Sequence, residues 1–263
     1  MTALVGRALV TGAGQRLGRA MALYLAGRGH DVAVHFSTSE VEAAAVVAEI
    51  RAMGRQAVAL RVDLTDEAQV QPLVGQAVAG LGGALSVLVN NASIFEHDSL
   101  ASATRASWDR HLESNFRAPF VLIQQFAAQA PDPVPDSAGE PVAQALVVNM
   151  IDQRVLKLTP EFMTYTLAKM GLWALTQTAA QALAPRVRVN AIGPGPTLQG
   201  ARQSLEHFTR QRAKTVLKRG VNPGDITAAL GFFLDSPAVT GQMIAVDGGQ
   251  HLGWQTPDVL GVE

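Results

Sequence analysis

Two groups of residues in this sequence have the types and spacing that chemistry asks for. Tyr165 and Lys169 stand four apart inside a helical pattern, so a phenol and an ammonium share one helix face. A phenol with its unperturbed pKa of about 10 relays protons poorly at neutral pH unless its surroundings help. The second group is Thr11-Gly12-Ala13-Gly14-Gln15-Arg16-Leu17-Gly18-Arg19, which follows a short apolar run and enters a helical pattern. Glycines let a backbone turn sharply and approach a pyrophosphate, and the helix that follows offers free N–H groups and a positive dipole end. The spacing is not the standard GxGxxG, because the residue three after Gly14 is Leu17.

These residues need rigid elements to carry them. Apolar runs at 8–10, 32–36, 57–62, 85–90, 145–149, 187–191 and 243–246 predict seven strands. Longer periodic segments at 17–28, 39–53, 67–81, 105–130, 160–184 and 223–234 predict helices between them. The alternation predicts an α/β fold: one doubly wound, mostly parallel seven-stranded sheet with helices on both faces, spanning 1–263 as a single domain. The segment 131–142 carries four prolines and predicts a surface loop.

Composition excludes several classes. The 263 residues contain no cysteine, which removes disulfide scaffolds, zinc ribbons and thiol nucleophiles. With 21 basic and 22 acidic residues there is no chain-wide basic footprint for nucleic acid. No apolar stretch approaches the roughly 18 residues of a membrane span, and MTALVGRALVTG reads as a first strand instead of a signal peptide, so a cytoplasmic protein is expected. Glu96-His97-Asp98 lacks a paired ligand spacing, and no metal is expected. Of the two tyrosines, Tyr24 lies on the apolar first helix and is expected to pack in the core.

The glycine turn resembles the TGxxxGxG signature of the short-chain dehydrogenase/reductase family, with its Rossmann fold, and Arg16 stands where the middle glycine usually is. The TGAxxRLGR form is similar to the pteridine reductase branch, in which this arginine helps hold the NADP phosphates beside the bound pterin. The second strand ends His35-Phe36-Ser37-Thr38-Ser39-Glu40 without an acid at its first positions. An acid there would bind a ribose 2′-hydroxyl and repel a 2′-phosphate, so NADP(H) is expected. Ser37 and Glu40 also have capping-box spacing, which is compatible with that reading. Asp63-Leu64, Asn90-Asn91-Ala92-Ser93, Pro194-Gly195-Pro196-Thr197 and Val246-Asp247-Gly248-Gly249 resemble the family's later cofactor turns in order. The resemblance implies cofactor contacts from Gly12, Arg16, Leu17, His35, Ser37, Thr38, Ser39, Asp63, Leu64, Asn91, Ala92, Ser93, Tyr165, Lys169, Pro194, Gly195 and Thr197.

Tyr165 and Lys169 are similar to the family's YxxxK pair. The resemblance makes Tyr165 the general acid and has Lys169 hold the nicotinamide ribose and ease ionisation of the phenol, with Asn115 supporting a water and proton path to the lysine. Thirteen residues before the tyrosine, where most members place a serine, stands Asp152. An ionised carboxylate accepts hydrogen bonds and cannot donate one, so it suits a ring N–H or protonated nitrogen better than a ketone oxygen gaining charge. Burial that raises its pKa would let it deliver a proton. Phe95 matches the aromatic that stacks on the pterin, and Arg16, Ser93, Phe95, Asp152 and Tyr165 are the implied substrate contacts.

The implied activity is NADPH-dependent reduction of a C=N bond in a pterin or dihydropterin, such as dihydromonapterin or dihydrofolate, by a homotetramer. A carbonyl reductase or alcohol dehydrogenase of the same family, such as a 3-oxoacyl thioester reductase, is the alternative; a non-catalytic NADP-binding scaffold is another. Residues 198–220 match the family's substrate lid. Arg202, Arg210, Arg212, Lys214, Lys218 and Arg219 there face the single acid Glu206, either to steer an anion or as the solvated side of a helix.

Overall fold

Parallel strands buried on both faces read as near-continuous apolar runs, and the first strands of this chain do so. A computed structural model describes residues 6–200 and 203–254. Strand β1 (Arg7–Val10) leads through the glycine turn to helix α1 (Arg16–Gly27), then β2 (Asp31–Phe36), α2 (Glu40–Ala52) and β3 (Ala57–Arg61). Two helices, α3 (Glu67–Val70) and α4 (Leu73–Leu81), precede β4 (Val87–Asn90). Next come α5 (Arg105–Leu112), a π-helical turn (Glu113–Arg117) and α6 (Ala118–Gln129). A small hairpin, β5 (Val134–Pro135) and β6 (Pro141–Val142), leads to β7 (Ala145–Met150), a 3-10 turn (Gln153–Leu156) and α7 (Met163–Leu183). The chain continues with β8 (Val187–Pro194), α8 (Leu205–Ala213), α9 (Pro223–Asp235) and β9 (Met243–Val246).

The main sheet has the order β3-β2-β1-β4-β7-β8-β9, and its pairings are parallel. Strand order reverses between β1 and β4, so the loops at the carboxyl ends of these strands part and leave a crevice. Alternate side chains feed two cores. Met21, Leu25, Val46, Ile50, Leu230 and Phe233 pack α1, α2 and α9 on one face. Leu73, Leu81, Leu122, Phe126 and Ala180 pack α4, α6 and α7 on the other. Phe126 and Phe233 are fully buried, and truncating either to alanine would cost about 3–5 kcal/mol. Tyr24 packs against the first core at the crossing of α1 and α9, where its hydroxyl accepts from Arg28.

Several boundaries differ from the expected ones. The helix expected over 67–81 is divided because Pro72, without an N–H, stands at the N-cap of α4. The helix over 105–130 is interrupted by the π-helical turn that contains Asn115. The helix expected from 160 starts at Met163, because Phe162 adopts a left-handed conformation with φ of 57°. The proline-rich 131–142 segment is exposed but ordered as the β5–β6 hairpin. Among the described residues, no helix is long and apolar enough to cross a membrane.

Candidate active site

The crevice at the strand reversal is a cleft of about 1100 Å³. Its walls come from the glycine turn, the loop after β4, the β7–α7 connection, the end of β8 and α8. Close packing explains the glycines. Gly12 has φ of 61°, and a Cβ on Gly18 would stand 2.0 Å from the Gly12 carbonyl oxygen and 2.6 Å from Asn91 Nδ2. Arg16 itself adopts φ of 53°, so the position where a glycine was expected is left-handed here too, at a cost of about 1–2 kcal/mol. Its guanidinium donates to the carbonyls of Leu198 at 3.0 Å and Gln199 at 2.8 Å, joining the turn to the segment that follows β8. Asn91 Nδ2 donates to the carbonyls of Thr11 and Gly12, while Thr11 Oγ1 accepts from the N–H groups of Asn91 and Ala92.

His35 holds the same turn from beneath. Its Nδ1 accepts from the Gly12 N–H at 3.0 Å, which makes Nε2 the donor to the Val62 carbonyl at 3.1 Å. Burial lowers the imidazole pKa from 6.5 to about 4, so the ring is neutral. His35 therefore does not line the cleft, and the direct cofactor contact expected of it is replaced by support of Gly12. Asp63 and Leu64 also lie outside the lining. The Asp63 carboxylate accepts from the backbone and hydroxyl of Thr65, which hold its pKa below the usual value, and Leu64 is buried. Gly12, Leu17, Ser37, Thr38, Ser39, Asn91, Ala92, Ser93, Pro194, Gly195 and Thr197 do line it. Helix α2 starts with Ser39 at its N-cap and no side-chain cap bond, so the Ser37–Glu40 capping box does not form. A narrow glycine turn, the N-terminus of α1 and three hydroxyl side chains without an acid among them fit a dinucleotide that carries a 2′-phosphate.

Helix α7 and the 3-10 turn bring the reactive groups together. Tyr165 Oη donates to Asp152 Oδ2 at 3.0 Å, and Asp152 Oδ1 accepts the Arg154 N–H at 2.8 Å, capping the turn. Lys169 Nζ donates to the Met150 carbonyl at 2.8 Å and stands 5.6 Å from the centre of the Tyr165 ring. Burial lowers the Lys169 pKa to about 8 and raises that of Asp152. Burial, followed by the negative charge of Asp152, pushes Tyr165 well above 10. The expected easing of its ionisation is thus outweighed, and the phenol keeps its proton as a hydrogen-bond donor to Asp152. Asn115 is fully buried, with both amide atoms engaged by Ile94: Oδ1 accepts from its N–H at 2.9 Å and Nδ2 donates to its carbonyl at 2.8 Å. Its side chain clamps the loop before Phe95.

Phe95 is 45% exposed and lies in the cleft wall. It stacks on Phe162 with centroids 4.3 Å apart and planes within 8°, and meets Tyr165 edge-on at 4.7 Å. The Arg154 guanidinium lies 5.0 Å from the Phe162 centroid. Phe162 and Arg154 line the cleft without having been singled out in the sequence. The available signals were a scarce aromatic three residues before Tyr165 and a cation two residues after Asp152. Glu96, His97 and Asp98 diverge toward Arg110, Glu161 and Thr164 respectively. Among the described residues, no group of three or more histidines and carboxylates is placed to hold a metal ion.

The expected lid contains α8, none of whose residues is buried. His207 and Phe208 line the cleft from it. Arg212 donates to the carbonyls of Pro196 and Val221, and Arg219 pairs with Asp225. Those two cations therefore tie the segment down instead of facing solvent freely; Arg202 lies outside the described residues.

A seven-stranded doubly wound sheet, a glycine turn at its strand reversal and a buried tyrosine–lysine pair define a dinucleotide-dependent oxidoreductase architecture. The family model described as short chain dehydrogenase matches residues 7–210, and the chain belongs to this family. A 3-oxoacyl-[acyl-carrier-protein] reductase from Staphylococcus aureus is 32% identical over 250 residues, covering 93% of this chain and 98% of that protein. The structure of FolM alternative dihydrofolate reductase 1 from Brucella canis, complexed with NADP, is 42% identical, covers 96% of both chains and superposes with a TM-score of 0.88. Its counterpart from Brucella suis, also complexed with NADP, is 43% identical, covers 96% of this chain and 98% of that one, and has a TM-score of 0.89.

Proposed function

We propose that this protein reduces a C=N bond of a pterin or dihydropterin with NADPH. The observation that carries the reading is the partly buried Asp152–Tyr165 hydrogen bond in a cleft whose wall holds Phe95. Reduction of C=N requires a hydride at carbon and a proton at nitrogen. NADPH, when bound, supplies the hydride. Arg16, Ser37, Thr38 and Ser39 would hold its phosphates, Thr197 its carboxamide and Lys169 its ribose. Asp152, with its pKa raised by burial, carries a proton to a ring nitrogen or accepts a ring N–H. Tyr165 donates a hydrogen bond to Asp152 and holds that carboxyl in place, and Asp152 recovers its proton from water once the product has left. Phe95 presents a half-exposed ring for offset stacking of a flat heterocycle. The similarity to two dihydrofolate reductases supports the same choice.

The 3-oxoacyl reductase relative favours a second reading, reduction of a ketone. Purified protein with NADPH and a panel of dihydrobiopterin, dihydromonapterin, dihydrofolate and simple ketones separates them. Pterin turnover is expected; ketone turnover without it establishes the second reading. Cofactor binding with no turnover would make the protein a scaffold. The proposal also has the protein act in the cytoplasm as a homotetramer, for which the apolar hollow of Phe120, Ile123, Leu175 and Ala179 between α6 and α7 offers a contact face. Light scattering at assay concentration tests the assembly.

A further inference from the structure

Beside the catalytic set, three buried polar side chains from three segments meet. Asp98 belongs to the loop after β4, His111 to α5, and Thr164 directly precedes Tyr165 on α7; they are 3%, 0% and 1% exposed. Thr164 Oγ1 lies 2.5 Å from Asp98 Oδ2 and 2.6 Å from His111 Nδ1. The Glu96 N–H donates to His111 Nε2 at 3.1 Å. That bond makes Nε2 an acceptor, so the neutral ring carries its proton on Nδ1 and donates to Thr164, whose own proton goes to Asp98. Burial lowers the His111 pKa, in keeping with a neutral ring.

Asp98 does more than end this chain of donors. Its Oδ1 accepts the Thr164 N–H at 3.1 Å, and its carbonyl accepts those of Phe162 at 2.8 Å and Met163 at 3.4 Å. Helix α7 has no side-chain cap from its own N-cap residue, so Asp98 supplies the capping acceptors and the favourable negative charge from another segment. The loop that carries Phe95 is thereby fastened to the first turn of the helix that carries Tyr165, and Asn115 clamps the same loop at Ile94.

We propose that Asp98, Thr164 and His111 are positioning residues that set the Phe95 ring against the Tyr165 ring, and with it the seat of a flat substrate relative to the hydrogen-bonded Tyr165–Asp152 pair. The substrate part rests on the pterin reading; the placement of Tyr165 does not. Small displacements of a reacting group have large kinetic effects, up to about a hundredfold for 1 Å.

Thr164→Val keeps the shape of the side chain and removes the hydroxyl, leaving His111 Nδ1–H and Asp98 Oδ2 without it. Thr164→Ser restores the hydroxyl. Steady-state kinetics on whichever panel substrate the wild type reduces, with NADPH affinity measured by its fluorescence, reads the result. For Thr164→Val, kcat/KM is expected to fall about tenfold to a hundredfold, with lower kcat and higher KM, while the NADPH Kd stays within about twofold. Thr164→Ser is expected to recover most of the loss. Should Thr164→Val not fold, Asp98→Asn, which retains one oxygen for the Thr164 N–H, is expected to lose about tenfold with the same split. Unchanged kcat/KM in the folded variant, a parallel loss of NADPH affinity, or a serine variant no better than the valine one overturns the proposal. A wild type that reduces only ketones sinks the pterin reading and leaves the network to be judged on the ketone; one that reduces nothing on the panel overturns both.

Discussion

Replacing His35 with leucine removes the support beneath the glycine turn. The Gly12 N–H loses its acceptor at 3.0 Å and the Val62 carbonyl loses its donor at 3.1 Å. A buried polar group left without a partner costs about 1–3 kcal/mol, so two of them should lower stability at pH 7 by about 2–4 kcal/mol after the gain from an apolar side chain. The effect depends on pH in a defined direction. The His35 pKa is about 4 in the folded protein against 6.5 without burial. Folding therefore favours the neutral ring, and the contribution is complete above pH 6.5 and is lost as the pH falls toward 4. That loss amounts to about 2 kcal/mol at pH 5 and roughly 3 kcal/mol at pH 4. Leucine does not titrate, so the stability gap between wild type and variant should narrow steadily from pH 7 to pH 4. Urea unfolding at unit intervals of pH measures it. A gap that stays constant across this range would refute a buried, neutral His35. Loosening Gly12 should also weaken NADP binding about tenfold at pH 7, a difference of about 1.4 kcal/mol.

Asp152→Ser should lower pterin kcat by about a hundredfold or more through loss of the carboxyl at the proton-transfer position; unchanged pterin kinetics would remove Asp152 from the chemistry. Arg16→Ala removes a guanidinium expected at the phosphates and should raise the NADP Kd more than the NAD Kd, by about tenfold. Equal effects on the two cofactors in a titration would defeat the phosphate assignment. Arg188 is a buried cation on β8 whose Nη1 donates to the carbonyls of Phe233 at 2.7 Å and Ser236 at 2.9 Å, joining the sheet to the end of α9. Arg188→Met should destabilise the fold by about 2–3 kcal/mol in urea unfolding, and a change below about 0.5 kcal/mol would show that those carbonyls find other partners.

Strand and helix order was legible because local patterning carries it. Apolar runs of a few residues, separated by longer helical periods, admit few arrangements besides a parallel sheet covered on both faces. Departures arose where a single residue overrides the pattern: Pro72 breaks a helix for want of an N–H, and the left-handed Phe162 delays the start of α7. Tyr165 and Lys169 were legible because a spacing of four places them on one helix face, and Asp152 through the resemblance to the family position thirteen residues before the tyrosine. Phe162 and Arg154 were not, since only the stacking of Phe162 on Phe95 and the guanidinium above it give them a place in the cleft.

By itself, then, the sequence determined the order of elements, the glycine turn at the end of the first strand and the identities of the proton-bearing groups. Propensity, turn chemistry and side-chain type act within a few residues of one another. Only the tertiary structure decided which way those groups lean. Burial together with Asp152 keeps Tyr165 protonated, burial brings Lys169 to about 8, and distant contacts set the His35 ring beneath Gly12 and the Asn115 amide against Ile94. Desolvation and hydrogen bonding between residues far apart in the chain exist only once the fold has closed around them.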